Sequence, residues 1–181
     1  MTQLTIYAAD NPDKVLLDTK DGGEIAKALA GIGVTFERWD ASIELGAEAG
    51  QEEVLAAYEQ QIAKLMREGG YKSADVIRVK PDHPDRVALR QKFFNEHTHD
   101  DDEVRFFVEG AGAFYLHKDG RVCRVVCERN DLISVPAGTT HWFDTGAEPN
   151  FCAIRIFTSP DGWVGHFTGS DMAQRFPTYG A

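Results

Sequence analysis

Residues 95–112 read NEHTHDDDEVRFFVEGAG, and this stretch decides the fold. His97 and His99 stand two apart, and Glu103 follows four later. In an extended chain, residues two apart share a face. The two imidazoles therefore project together, and Glu103, Arg105 and Phe107 keep the same parity, although Asp100, Asp101 and Asp102 are expected to loop between them. A second short run at 136–141, PAGTTH, brings His141 in from another strand, with Pro136 and Gly138 as the turn that returns the chain. Three imidazoles and one carboxylate make a ligand set for a hard-to-borderline divalent ion such as iron, nickel, copper or zinc. A tetrahedral ion would be closed by these four ligands, whereas an octahedral one would keep positions open for substrate or dioxygen.

Around this core the chain is rich in short strands. The runs 103–108, 113–118, 121–128, 132–135 and 151–157 are β-branched and aromatic, and turn signals separate them. Asp119-Gly120 between two of them is the strongest hairpin signal. Many short strands at near-regular spacing predict an antiparallel barrel or jelly roll, which hides its strand edges. Upstream, residues 4–7, 15–18 and 34–39 read as strands. Asp21 with Glu24 resembles a capping box, opening a helix whose Ile25, Leu29 and Ile32 recur at helical spacing. The spacing of Val54, Leu55, Tyr58, Ile62, Leu65 and Met66 predicts one helix over 51–69, closed by Gly69-Gly70. Residues 75–80 read as a strand and 85–94 as a short helix. The expected organisation is one domain over 1–181. It has an α/β N-terminal subregion (1–72), a metal-binding β-barrel core (73–168) and a C-terminal tail (169–181).

With 181 residues the chain can bury roughly 70% of its unfolded surface without staples. Its net charge of -10 disfavours nucleic acid and anionic membranes as partners. Cys123, Cys127 and Cys152 form no CxxC pair, as expected of buried thiols in a reducing compartment. The first residues lack a basic flank and a long apolar run, so a cytoplasmic location is expected. Nothing in the pattern demands a partner subunit, and a monomer is expected.

The two histidine runs fit the two cupin motifs. His97, His99, Glu103 and Gly110 match the first, and Pro136, Gly138 and His141 match the second, without its usual trailing Asn. The resemblance implies a double-stranded β-helix barrel with a few flanking helices, a fold of many functions. Longer stretches resemble one family within it. FNEHTHDDDEVRFFVEGAG, NDLISVPAGTTHWFD, EPNFCAIRIF, GVTFERW and GYKSADVI are similar, in order, to bacterial acireductone dioxygenases, in which HWFD is normal. That resemblance implies metal ligation by His97, His99, Glu103 and His141. It also implies one Fe(II) or Ni(II) per chain and dioxygen-dependent cleavage of an acireductone in methionine salvage.

Two arginines are catalytic candidates. Arg105 shares the inward parity of Glu103 and stays charged when buried; alternatively it pairs with the 100–102 acids or with Glu109. Arg155 sits in an apolar strand, as a substrate contact or as a satisfied ion pair. Phe93, Phe107, Phe143 and Trp163 are candidates for the wall around a methylthio tail, since sulfur packs well on aromatic rings. Glu96 is expected on the opposite face from His97, as support or solvated. His83, His117 and His166 are read as ordinary polar or packing residues. A cupin isomerase or epimerase and a non-catalytic cupin are the rival classes.

Overall fold

The strand at the heart of the molecule is longer than its sequence suggests. A computed structural model describes residues 1–160 and 162–180; residues 161 and 181 lie outside it. In chain order the elements are β1 (Gln3–Ala8), β2 (Asn11–Thr19), α1 (Gly22–Ala30), β3 (Thr35–Arg38), α2 (Gln51–Ala57), α3 (Glu59–Gly69), β4 (Ser73–Val79) and α4 (Arg86–Phe94). Next come β5 (His97–Thr98), β6 (Glu103–Lys118), β7 (Arg121–Glu128), β8 (Asp131–Val135), β9 (Thr140–Asp144), β10 (Asn150–Phe157), β11 (His166–Phe167) and α5 (Met172–Arg175).

The runs expected as two strands at 103–108 and 113–118 are one, β6. Its first part pairs with β8 and β10, and its second part with β7 and β9, all antiparallel. β6 therefore belongs to two sheets and turns the corner between them. One sheet runs β4-β10-β6-β8-β3, and the other β11-β5-β9-β6-β7-β1-β2. This is the expected jelly-roll architecture, and the N-terminal β1, β2 and β3 are built into its sheets.

The corner is made by Gly110. Its φ of +62° suits glycine, and an added Cβ would lie 1.8 Å from the carbonyl oxygen of Asn150. The face exchange that follows is visible in the packing. Before the corner, Phe107 points into the barrel interior while Val104, Phe106 and Val108 face the layer formed with α2 and α3. Beyond it, Phe114 and Leu116 point inward and Tyr115 outward. The turn expected between the runs 103–108 and 113–118 is thus a bend within one strand.

The N-terminal expectations divide. Asp21 caps α1, its Oδ1 accepting from Glu24 N at 2.8 Å. The single helix expected over 51–69 is broken at Tyr58, whose φ of -113° and ψ of 24° separate α2 from α3. The apolar stripe survives the break, because Val54, Tyr58 and Ile62 all bury against β6 and β10 side chains. Tyr58 reaches Ile43 O and meets Phe106 edge to face, so tertiary contact sets the break. The hairpin at Asp119-Gly120 has φ of 52° and 71°, as a type I′ turn requires. In the C-terminal segment, α5 seats Ala173, followed by Phe176, against Tyr7 and Trp142. No helix among the described residues is long and apolar enough to cross a membrane.

Candidate metal centre

β5 is only two residues long, but its pairing fixes the site: His97 lies directly across from His141 of β9. His99 follows in the loop, and Glu103 begins β6 beside Val135 of β8. The four side chains are buried, and their ligand atoms lie within 4.8 Å of one another. The further strand expected to carry His141 is β9, which also carries Phe143.

Each imidazole is oriented by the backbone. His97 Nδ1 faces Asn95 O at 2.6 Å, His99 Nδ1 faces Val164 O at 2.8 Å, and His141 Nδ1 faces Thr139 O at 2.8 Å. A carbonyl only accepts, so each Nδ1 carries the proton and each neutral ring leaves Nε2 bare. His99 Nε2 and His141 Nε2 both approach Glu103 Oε2, at 3.0 and 2.9 Å. Bare imidazole nitrogens converging on a carboxylate need a cation among them, a proton or a metal. The donor set therefore fits a divalent ion of the imidazole-and-carboxylate type.

The charges agree with this. Burial opposes ionisation of Glu103, but Arg105, His141 and His99 outweigh it and hold the carboxyl well below its ordinary range. Burial and the neighbouring His141 push His97 down to about 4. For His99 burial acts downward, yet its hydrogen bond and attraction to Glu103 leave it raised. A ligating imidazole must shed its proton. Below the raised pKa of His99, ion binding should therefore release at least one proton, so affinity falls as pH drops through that pKa. His97 adds a further proton only near pH 4. Titration calorimetry with a divalent ion in buffers of different ionisation enthalpy measures this count; an affinity independent of pH from 5 to 8 contradicts it.

A cavity of about 150 Å3 opens onto the cluster. Of the sequence candidates, Phe93, Arg105, Phe143, Arg155 and Trp163 line it together with the four ligand residues. Phe107 does not; it lies one layer deeper, against Phe143 and Phe151. Arg105 Nε lies 2.9 Å from Glu103 Oε1, a charge contact without hydrogen-bond alignment, and its buried Nη1 has no hydrogen-bond partner among the described residues. Its guanidinium is boxed by Phe143 at 4.4 Å, Phe114 at 5.1 Å, and Phe93 and Trp163 at 5.6 Å. Arg155 lies opposite Arg105 across β10 and β6, and makes a forked pair with Asp75 at 2.7 and 2.6 Å. Of the two readings left open, it makes the satisfied ion pair, and it also lines the cavity.

Glu96 is buried rather than solvated. Its carboxylate meets His117 Nδ1 at 2.8 Å and accepts from Thr168 Oγ1 at 2.8 Å. His166 pairs with Asp100 at 2.9 Å on the exposed surface, and His83 accepts from Asp85 N. Sequence reasoning missed Lys92, Gly165 and Phe167, which also line the cavity. Lys92 neighbours Phe93 on α4, so helical position could have found it. Gly165 and Phe167 lie in and beside β11, too short to show a period.

Fold and site together define a metal-binding cupin. The sequence profile of the ARD/ARD′ family matches residues 3–165, and the chain belongs to that acireductone dioxygenase family. It is 74% identical over 179 residues to an acireductone dioxygenase from Parvibaculum lavamentivorans, covering 99% of this chain and 97% of that protein. A Stenotrophomonas maltophilia acireductone dioxygenase is 56% identical with the same coverage. Among solved structures, acireductone dioxygenase from Bacillus anthracis with a cadmium ion in its active centre superposes with a TM-score of 0.80. It is 34% identical and covers 92% of this chain and 98% of that one.

Proposed function

We propose that the chain is an acireductone dioxygenase of methionine salvage, cleaving 1,2-dihydroxy-3-keto-5-methylthiopentene with dioxygen. With Fe(II) the products would be formate and 4-methylthio-2-oxobutanoate. With Ni(II) they would be 3-methylthiopropanoate, carbon monoxide and formate. The observation that carries this reading is the buried His97, His99, Glu103 and His141 cluster facing a cavity lined by arginine and aromatic rings.

These four residues would hold one ion per chain. When bound, it supplies Lewis-acid polarisation and a template for two adjacent substrate oxygens. The chain's own residues do the rest. Glu103 offsets Arg105 and Asp75 offsets Arg155, so the charge of a divalent ion stands uncompensated until an anionic enediolate enters. Arg105 offers the unpartnered Nη1 to a substrate oxygen and holds it ionised. Arg155, fixed by Asp75, adds positive potential from the facing strand. Phe93, Phe143 and Trp163 exclude water and give the thioether sulfur an aromatic wall; Phe107 backs that wall. Substrate and dioxygen are the partners of this reading, in a cytoplasmic monomer without nucleic acid or membrane.

Product analysis on acireductone tests it. Iron-loaded protein should yield the keto acid, nickel-loaded protein should release carbon monoxide, and neither should turn over without dioxygen. Turnover that persists anaerobically would instead place the barrel among isomerases or epimerases.

A further inference from the structure

Helix α4 supplies Lys92 and Phe93 to the cavity wall, yet it carries no fully buried side chain. Leu89 and Phe93 are only partly buried against the barrel interior, Phe94 only partly buried against the cluster of Tyr7 and Trp142, and the Asp85 side chain at its N-terminus makes no capping hydrogen bond. A short helix depends on tertiary packing for its place, and here apolar packing is thin. A polar tie takes over. Arg90 Nε and Nη2 donate to Asp144 Oδ1 and Oδ2 at 2.8 and 3.2 Å. The fork is one that arginine makes and lysine does not. Asp144 is fully buried at the end of β9, one residue after Phe143. It also accepts from Gly146 N and Tyr179 N, each at 2.9 Å. One carboxylate thus joins β9, α4 and the C-terminal segment. Across this junction Phe93 and Phe143 meet edge to face with centroids 6.4 Å apart. Both rings flank the Arg105 guanidinium.

We propose that Arg90 and Asp144 form a positioning pair that locks α4 to β9, so that Phe93 closes with Phe143 over Arg105 and sets the shape of the substrate cavity. Neither residue lines the cavity itself; the pair acts through Phe93. The proposal rests on the acireductone reading of that cavity.

Its test uses metal-loaded protein, unaltered and as Arg90→Met, Arg90→Lys, Phe93→Ala and the Arg90→Met/Phe93→Ala double variant, below the Tm of each. Arg90→Met should keep its ion content while kcat/KM falls by about tenfold to a hundredfold, mostly through KM, the scale of a misplaced wall in a preorganised site. Arg90→Lys should recover only part, having lost the fork. In the Phe93→Ala background Arg90→Met should add little, because it acts through that ring. Losses that multiply in the double variant, or unchanged kcat and KM in Arg90→Met, would overturn the pairing role. A crystal structure of Arg90→Met, or of Arg90→Lys if the former does not fold, needs no turnover: Phe93 should leave Phe143, and an unmoved ring overturns the proposal. Absence of turnover in the unaltered protein instead overturns the acireductone reading and leaves this structural test standing.

Discussion

Replacing His141 by alanine should strip the protein of its ion and of its turnover together. His141 is 2% exposed, lies across from His97 between β5 and β9, and places Nε2 2.9 Å from Glu103 Oε2. Removing it deletes one of three nitrogen donors and leaves the buried carboxylate with a vacant side. The loss should exceed the roughly 10–100-fold that follows from removing an outer hydrogen-bond partner of a ligand. Elemental analysis after dialysis should find little iron or nickel, with acireductone consumption falling in parallel. His83→Ala is the matched control, since His83 lies on the loop before α4, away from the cluster, and its side chain accepts a hydrogen bond from Asp85 N. It should keep both ion and turnover. A His141→Ala protein with a full complement of metal and normal turnover would remove His141 from the ligand set.

The largest effect on stability should come from Gly110→Ala. The methyl group would meet Asn150 O at 1.8 Å, and the backbone φ of +62° penalises any Cβ. The left-handed conformation costs roughly 1–2 kcal/mol and overpacking typically 1–3 kcal/mol more. Here the obstruction is backbone on β10, which cannot swing aside as a side chain can. A total of roughly 3 kcal/mol corresponds to a Tm lower by about 6–12 °C for a chain of this size. Gly120→Ala separates the two causes. Gly120 has a similar φ of +71° but nothing within 4 Å of the new methyl group. It should show the conformational cost alone, about half the effect. Equal Tm losses in the two variants would mean that the β6 corner tolerates the contact with Asn150.

The residues that were legible in the sequence owe their placement to local rules. Alternation put His97 and His99 on one face, and Asp119-Gly120 announced a turn that only left-handed residues make. Asp21 with Glu24 marked the start of α1, and the capping bond is there. What escaped was set by distant contact. Gly110 and Gly112 carry a turn composition, yet pairing with β10 at Gly110 and with β7 at Gly112 carries one strand through them, bent at Gly110. Tyr58 sits within an unbroken apolar stripe, so its helix break became visible only with Phe106 and Ile43 beside it. Parity turned both Arg105 and Phe107 inward, but two residues further along the strand Phe107 lies in the interior cluster and does not line the cavity. Phe107 packs instead against Phe143, which does line the cavity.

The carbonyls of Asn95, Thr139 and Val164 that grip the three imidazoles have a consequence for how this centre can vary. A peptide oxygen has no codon of its own. Alanine scanning would find the ligands but never the groups that aim them, and drift in the surrounding side chains leaves the aim untouched as long as the chain keeps its course. The part of the centre most resistant to change is therefore written in the path of the main chain, where no comparison of residue types can read it.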